Sequence, residues 1–278
     1  MDEATLIDQI EKLAPGEIAV LGIPFDANSS FLRGPALGPA RIREAFRSPA
    51  GNRFTENGLG LGGAEGWRFI GDLTWPGADL DLAAVVQSVD QILSRDARVI
   101  SLGGDHSITH PILRAYGRRY PDLTILHLDA HPDLYDRLGG NSLSHACPFA
   151  RIMEEGLAQR LVQVGIRTLT PHQREQAERF GVEIVPVARW PQARDLAFEG
   201  SVYLSLDLDC LDPAFAPGVS HHEPGGLSTR EVLHIIQGFK GNLVGADIVE
   251  LNPERDWMGM TARVAAKLLK ELLGRMLG

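Results

Sequence analysis

The stretch Leu123-Thr124-Ile125-Leu126-His127-Leu128-Asp129-Ala130-His131-Pro132-Asp133 holds the two features that decide the fold. Its first half is a short, nearly unbroken apolar run, the pattern of a strand buried on both faces. Its second half turns polar at once. Similar runs recur outward in both directions, at residues 17–23, 98–102, 161–166, 182–187, 202–207 and 243–249. Between them, apolar residues return at helical spacing over 80–93, 107–116, 229–236 and 260–277,. In the last of these Val264, Leu268, Leu272 and Met276 form one stripe, while Lys267, Lys270 and Glu271 fall off it. Strands alternating with helices predict a mostly parallel sheet covered on both faces, an α/β three-layer α/β/α sandwich in preference to a closed barrel.

The 278 residues suffice for one such domain spanning 1–278, and no internal repeat or low-complexity linker divides them,. Residues 49–66, rich in Gly and Asn, read as a surface excursion, and 139–144 as a loop close to the chemistry,. A formal net charge of −9 argues against a nucleic-acid partner and suits a cationic ligand,. With 44% hydrophobic and 23% charged residues the composition is that of a soluble globular chain, not of a membrane protein,. No apolar run approaches the eighteen or so residues that a membrane span needs, and the acidic, amphipathic segment 1–13 is unlike a signal peptide,. A cytoplasmic location is the expectation. Cys147 and Cys210 are far apart with no CxxC partner, so free thiols are expected,.

Acids and histidines cluster immediately after the predicted strands, where open α/β sheets bind ligands. Three clusters stand out: Gly103-Gly104-Asp105-His106-Ser107, Asp129-Ala130-His131-Pro132-Asp133 and Asp207-Leu208-Asp209-Cys210-Leu211-Asp212-Pro213. Residues two apart in an extended chain project to the same side, so Asp129, His131 and Asp133 can converge, as can Asp207 and Asp209. So many acids at neighbouring strand ends would repel one another without compensation, which a pair of divalent cations supplies. With His106 the set holds two histidines and four carboxylates. Oxygen-rich and free of thiolate, it favours manganese over zinc. A lone DxD after a strand is often only a cap or turn; both acidic motifs together with a Gly-Gly-Asp-His turn are not. His127 shares the parity of Asp129 but lies deeper in its strand, as a hydrogen-bonded core histidine would. His110, His172 and His234 fall on helices or at their starts, in packing or surface roles. His221 and His222 occupy a loop after the third cluster that suits the wall of a substrate pocket.

The GGDHS, DAHPD and SLDLDCLDPAFAPG segments, in this order and spacing, resemble the ureohydrolase family, the arginases and agmatinases, over about residues 18–277. The run 129–153 and the loop 218–226 look especially like plant-type arginases. The resemblance implies two manganese ions per subunit, with nickel or cobalt as alternatives. One would be held by His106, Asp129, Asp133 and Asp209, the other by Asp129, His131, Asp207 and Asp209. It implies hydrolysis of a guanidino group with release of urea. Arginine is the expected substrate, and agmatine, guanidinobutyrate or formimidoylglutamate the alternatives. His145 is the implied proton shuttle, Asp133 the implied acceptor of the nucleophile's proton, and Glu250 the carboxylate facing the guanidinium. Tyr135, Asn141 and His221 join Glu250 as candidate substrate contacts. Tyr135 stands where animal and bacillus arginases carry asparagine, and Asn141-Ser142-Leu143-Ser144 where they carry Ser-Gly-Asn, so their contacts to the substrate's amino-acid end do not transfer. The family also implies a homo-oligomer, trimer or hexamer. Deacetylase-like enzymes share the broader fold but use one zinc and need no His106 cluster. A two-metal phosphoesterase would want basic groups beside the motifs, and a binding protein on an inactive scaffold would not need an intact ligand set.

Overall fold

Strand residues that are apolar at every position must be covered on both sides, and that requirement builds this molecule. The computed structural model describes residues 3–63, 65–75, 77, 79–192 and 196–278; the first two residues of the amphipathic segment 1–13 lie outside them. Its eight described strands are β1 (Ile18–Ile23), β2 (Trp67–Asp72), β3 (Arg98–Gly103), β4 (Thr124–Leu128), β5 (Arg160–Ile166), β6 (Glu183–Pro186), β7 (Ala197–Asp207) and β8 (Lys240–Val249). All pair in parallel in one sheet of order β2-β1-β3-β8-β7-β4-β5-β6.

Alternation along the strands sorts side chains into two cores. Ile18, Val20, Ile100, Leu102, Leu204 and Leu206 face one side, where helices α2 (Gly38–Arg47), α7 (Thr229–Gly238) and α8 (Met260–Leu277) cover them. Ala19, Leu21, Ile23, Val99 and Ile125 face the other, beneath α1 (Glu3–Glu11), α3 (Leu82–Ser94), α4 (Thr109–Arg119), α5 (Pro148–Glu154) and α6 (Pro171–Phe180). The three-layer sandwich is therefore as expected.

The expected strands recur with ends shifted by a few residues, and α8 with its predicted bounds. Strand β2 was not expected. Its sequence Trp-Arg-Phe-Ile-Gly-Asp is half polar because it lies at the sheet edge, partly exposed, and among the described residues pairs only with β1. Glu271, placed off the apolar stripe of α8, is buried all the same, and accepts from the Glu56 amide (2.9 Å) and from Gln237 (2.9 Å). The excursion 49–66 is thereby tied to α7 and α8, with Leu61 buried in the core beneath it. Both cysteines are free and buried, as expected. No helix among the described residues is long and apolar enough to cross a membrane.

Candidate metal centre

The four adjacent central strands β3, β8, β7 and β4 all deliver chemistry at their carboxyl ends, although they come from distant parts of the chain. After β3 the chain turns at Gly104, whose amide donates to the Ile23 carbonyl (3.0 Å), followed by the Asp105 amide to the Phe25 carbonyl (2.7 Å). A side chain at 104 would overlap the Phe25 backbone, so glycine is required for this close approach,. His106 then opens a short 3-10 turn. Asp129 follows β4, and its Oδ1 accepts from the His131 amide (2.6 Å). Asp207 ends β7, and its Oδ1 accepts from the Asp209 amide (2.8 Å). Asp209 reaches across to β4 by accepting from the Ala130 amide (3.0 Å). Glu250 follows β8.

These positions converge. The buried Nδ1 of His106 stands 3.2 Å from one oxygen each of Asp129, Asp133 and Asp207, yet makes a hydrogen bond to none of them. The other ring nitrogen, Nε2, lies 2.9 Å from Ser205 Oγ, which donates to Asp247 (2.8 Å). Because the hydroxyl proton is committed to Asp247, the Ser205 oxygen accepts from Nε2–H and leaves a lone pair on Nδ1 facing three carboxylates. A proton there cannot satisfy three oxygens at once; a divalent cation can bind all four atoms. A second group adjoins the first, with His131 Nδ1 2.9 Å from Asp209 Oδ2 and 3.5 Å from Asp129 Oδ1. The donor set thus fits two neighbouring cations, and Asp129 has an oxygen in each group. The division of the acids differs from the expected one. Asp207, not Asp209, faces His106, because Asp209 is turned toward His131 and Ala130.

Electrostatics speak the same way. Burial, with the charges of Asp209 and Asp129, raises Asp207 well above the carboxylate range, and burial with Asp129 lifts Asp209 to about 6. Burial opposes charge on His106, but Asp129, Asp133 and Asp207 outweigh it and push the ring upward. Such a set calls for positive charge at its centre. His127, by contrast, sits where a core histidine should. Gln163, anchored on the Pro132 carbonyl (2.7 Å), donates to His127 Nδ1 (3.0 Å), so Nε2–H points at Asp129 Oδ2 (2.8 Å). Burial lowers its pKa, and it orients Asp129 with no lone pair left for an ion,.

Beside the cluster, Glu250 Oε1 accepts from the His106 amide and from His145 Nδ1, both at 2.9 Å, while Oε2 is buried without a partner. Glu250 and Asp133 have φ of 67° and 48°, left-handed conformations that are uncommon outside glycine and concentrate at functional sites,. Burial resists charge on His145, but the Glu250 carboxylate outweighs it and raises the ring to about 9. The Ser30 amide pulls the other way by donating to His145 Nε2 (3.2 Å), which demands a lone pair there. A ring held between these demands can both take and release a proton.

His221 stands with the site, its ring 5.1 Å from that of His145 and 6.1 Å from that of His131. Tyr135 and Asn141 do not share that position. Tyr135 stacks on His172 at 5.7 Å, and the side chain of Asn141 is spent on Asn28 (3.1 Å) and the Leu143 amide (2.8 Å). Sequence reasoning missed Ser205, Asp247, Gln163, Asn28 and Ser30. The first three sit on strands with side chains that no apolar core tolerates unpaired, a signal open to reading.

The Arginase family model matches residues 16–274. The chain belongs to the arginase family. Its members hydrolyse guanidino carbon–nitrogen bonds at a pair of metal ions, and this chain is an arginase-type ureohydrolase. It is 48% identical over 273 residues to arginase 1, mitochondrial, of Oryza sativa subsp. indica, covering 92% of this chain and 80% of that one. With arginase 1, mitochondrial, of Arabidopsis thaliana it shares 47% over 279 residues, covering 94% and 82%. The solved structure of arginase from Medicago truncatula superposes with a TM-score of 0.91 at 43% identity, over 98% of this chain and 93% of that one. These names correct the expected cytoplasmic location, because the plant arginases it resembles are mitochondrial. Lack of an apolar span bears on membrane crossing, not on compartment, so the composition of the catalytic fold carries no address.

Proposed function

We propose that this arginase-family chain is a manganese-dependent arginase that converts arginine and water to ornithine and urea. The observation that carries the reading is the meeting of His106, Asp129, Asp133, His131, Asp207 and Asp209 beside Glu250, whose Oε2 is buried without a partner. His106, Asp129, Asp133 and Asp207 would hold one ion; Asp129, His131 and Asp209 would hold the other. When bound, two divalent ions would lower the pKa of water there toward neutrality and so supply the nucleophile. The free Oε2 of Glu250 receives a guanidinium N–H by a charge-assisted hydrogen bond and orients the planar group. Burial opposes charge on Glu250, but His145 outweighs it and lowers its pKa, so the acceptor is an anion at neutral pH. Asp133 takes the proton of the attacking water, and His145 returns a proton to the departing amine. His221, at the rim of the same group, contacts the rest of the substrate. The ligand-bearing strands come from both halves of the chain and pair in one sheet, which supports reading 1–278 as one catalytic domain.

Arginine is supported by the arginase names of the plant relatives. Urea release from arginine, agmatine, guanidinobutyrate and guanidine, and formamide release from formimidoylglutamate, each with manganese, test the choice. The highest kcat/KM is expected on arginine. Turnover of another member alone would overturn arginine as substrate, and no urea from any of them would overturn the reaction.

A further inference from the structure

The loop leaving β1 does more than connect. Asn28 spends all four of its hydrogen-bonding groups on two other segments of the site. Its amide donates to Asp105 Oδ2 (2.9 Å) and its Nδ2 to Ser107 Oγ (3.1 Å), which pins it to the turn after β3. Its Oδ1 accepts from Asn141 Nδ2 (3.1 Å) and its carbonyl from the His145 amide (3.1 Å), which pins the loop 139–145. Two residues on, Ser30 presents both its amide (3.2 Å) and its hydroxyl (2.9 Å) to His145 Nε2. With Glu250 on Nδ1, both nitrogens of that buried ring are engaged. The two partners differ in kind. An amide can only donate, so it favours the ring with a bare Nε2 and its proton on Nδ1; a hydroxyl can donate to a bare Nε2 or accept from a protonated one. Ser30 is exposed, so neither contact serves to satisfy a buried serine.

We propose that Ser30, held in place by Asn28, is a positioning residue that fixes the ring plane and tautomer of His145 and keeps Nε2 partnered through its proton cycle. The inference rests on the proton-transfer role given to His145 above. The hydroxyl follows the ring between its two states, whereas the Ser30 amide and Glu250 hold its orientation. Removing the hydroxyl therefore weakens turnover without altering how substrate is bound.

The test compares urea release by the native chain, Ser30→Ala, Ser30→Thr and His145→Ala, all loaded with manganese, with melting curves for each. Ser30→Ala is expected to lose about tenfold in kcat, a part of the 10²–10⁴ that positioned proton transfer contributes. Its KM should stay within twofold and its melting temperature unchanged, and Ser30→Thr, which restores a hydroxyl, should recover most of the rate. If His145→Ala is crippled while Ser30→Ala turns over like the native chain, Ser30 does not position the ring, although the role of His145 stands. A raised KM at native kcat would make Ser30 a substrate contact and overturn the proposal, as would a Ser30→Thr variant no faster than Ser30→Ala. Full activity in His145→Ala would remove the role of His145 and this inference with it.

Discussion

Glu250 holds a left-handed backbone at φ 67°, a conformation costing of order 1–3 kcal/mol that persists only where surrounding contacts enforce it,. The enforcing contacts are its amide to the Gly104 carbonyl (2.8 Å) and its Oε1 to the His106 amide and His145 ring. They point one carboxylate oxygen inward and leave the other free for the substrate. Glu250→Gln retains the shape and an acceptor oxygen but removes the charge that a guanidinium meets. Turnover is expected to fall on the order of a hundredfold, the scale of losing one charged, preorganised contact, with metal content unaltered. Urea release and elemental analysis on the same sample check this; loss of metal would make Glu250 a support of the ligand set instead. At this scale the sequence was readable wherever chemistry repeats at fixed spacing, as in Asp129, His131 and Asp133. Ser30 and Asn28 were not readable. Nothing in Phe25-Asp26-Ala27-Asn28-Ser29-Ser30 differs from an ordinary polar loop until Gly104 lets that loop lie against the turn after β3.

Among the elements, the buried strands were legible, while of the two edge strands β6 was read from its apolar run and β2 was not. Strand β1, buried at all six positions, announces itself, whereas β2 carries arginine and aspartate because one side of it meets no further strand. Helix α6 was expected only through the placing of His172 on a helix or at its start, with no bounds; Thr170 and Gln173 form a capping box around Pro171 and Gly181 closes it in left-handed conformation,. Its apolar face is too thin for periodicity to reveal. The excursion 49–66 read correctly as a surface segment, but its anchorage depends on long-range pairing. Arg230 donates twice to Glu56 (2.6 and 2.9 Å) and Gln237 once (3.1 Å), which holds the Glu56 carboxyl at about 2 against an ordinary 4.5. A depressed carboxyl contributes stability that is present above the unfolded value and lost as pH falls through the folded one. The melting temperature of the native chain is thus expected to exceed that of Glu56→Gln above pH 4.5. The gap should narrow steadily as pH drops toward 2. A gap independent of pH across that window would mean that Glu56 acts by shape and not by charge.

For the whole molecule, the strand order is what makes a centre. The chain lays β1 to β3 on one side, crosses to β4, and returns later to fill the gap with β7 and β8, so four strand ends that carry site residues lie side by side. Local patterning predicts that each end is polar but not that β3 and β4, 21 residues apart in sequence from Gly103 to Thr124, flank two strands from the far end of the chain. A sheet covered on both faces leaves its edges and strand ends open, and here the central strand ends hold the four carboxylates of the donor set, with Asp105 and Glu250 beside them, in a chain of net charge −9. That concentration of like charge is tolerable only with cations among it. Crystals of the chain grown with manganese, and anomalous difference maps from them, measure this directly. The account predicts two peaks about 3.5–4 Å apart, one beside His106 Nδ1 and one beside His131 Nδ1, with Asp129 touching both. One peak only, or two that leave Asp129 without contact to either, would contradict it.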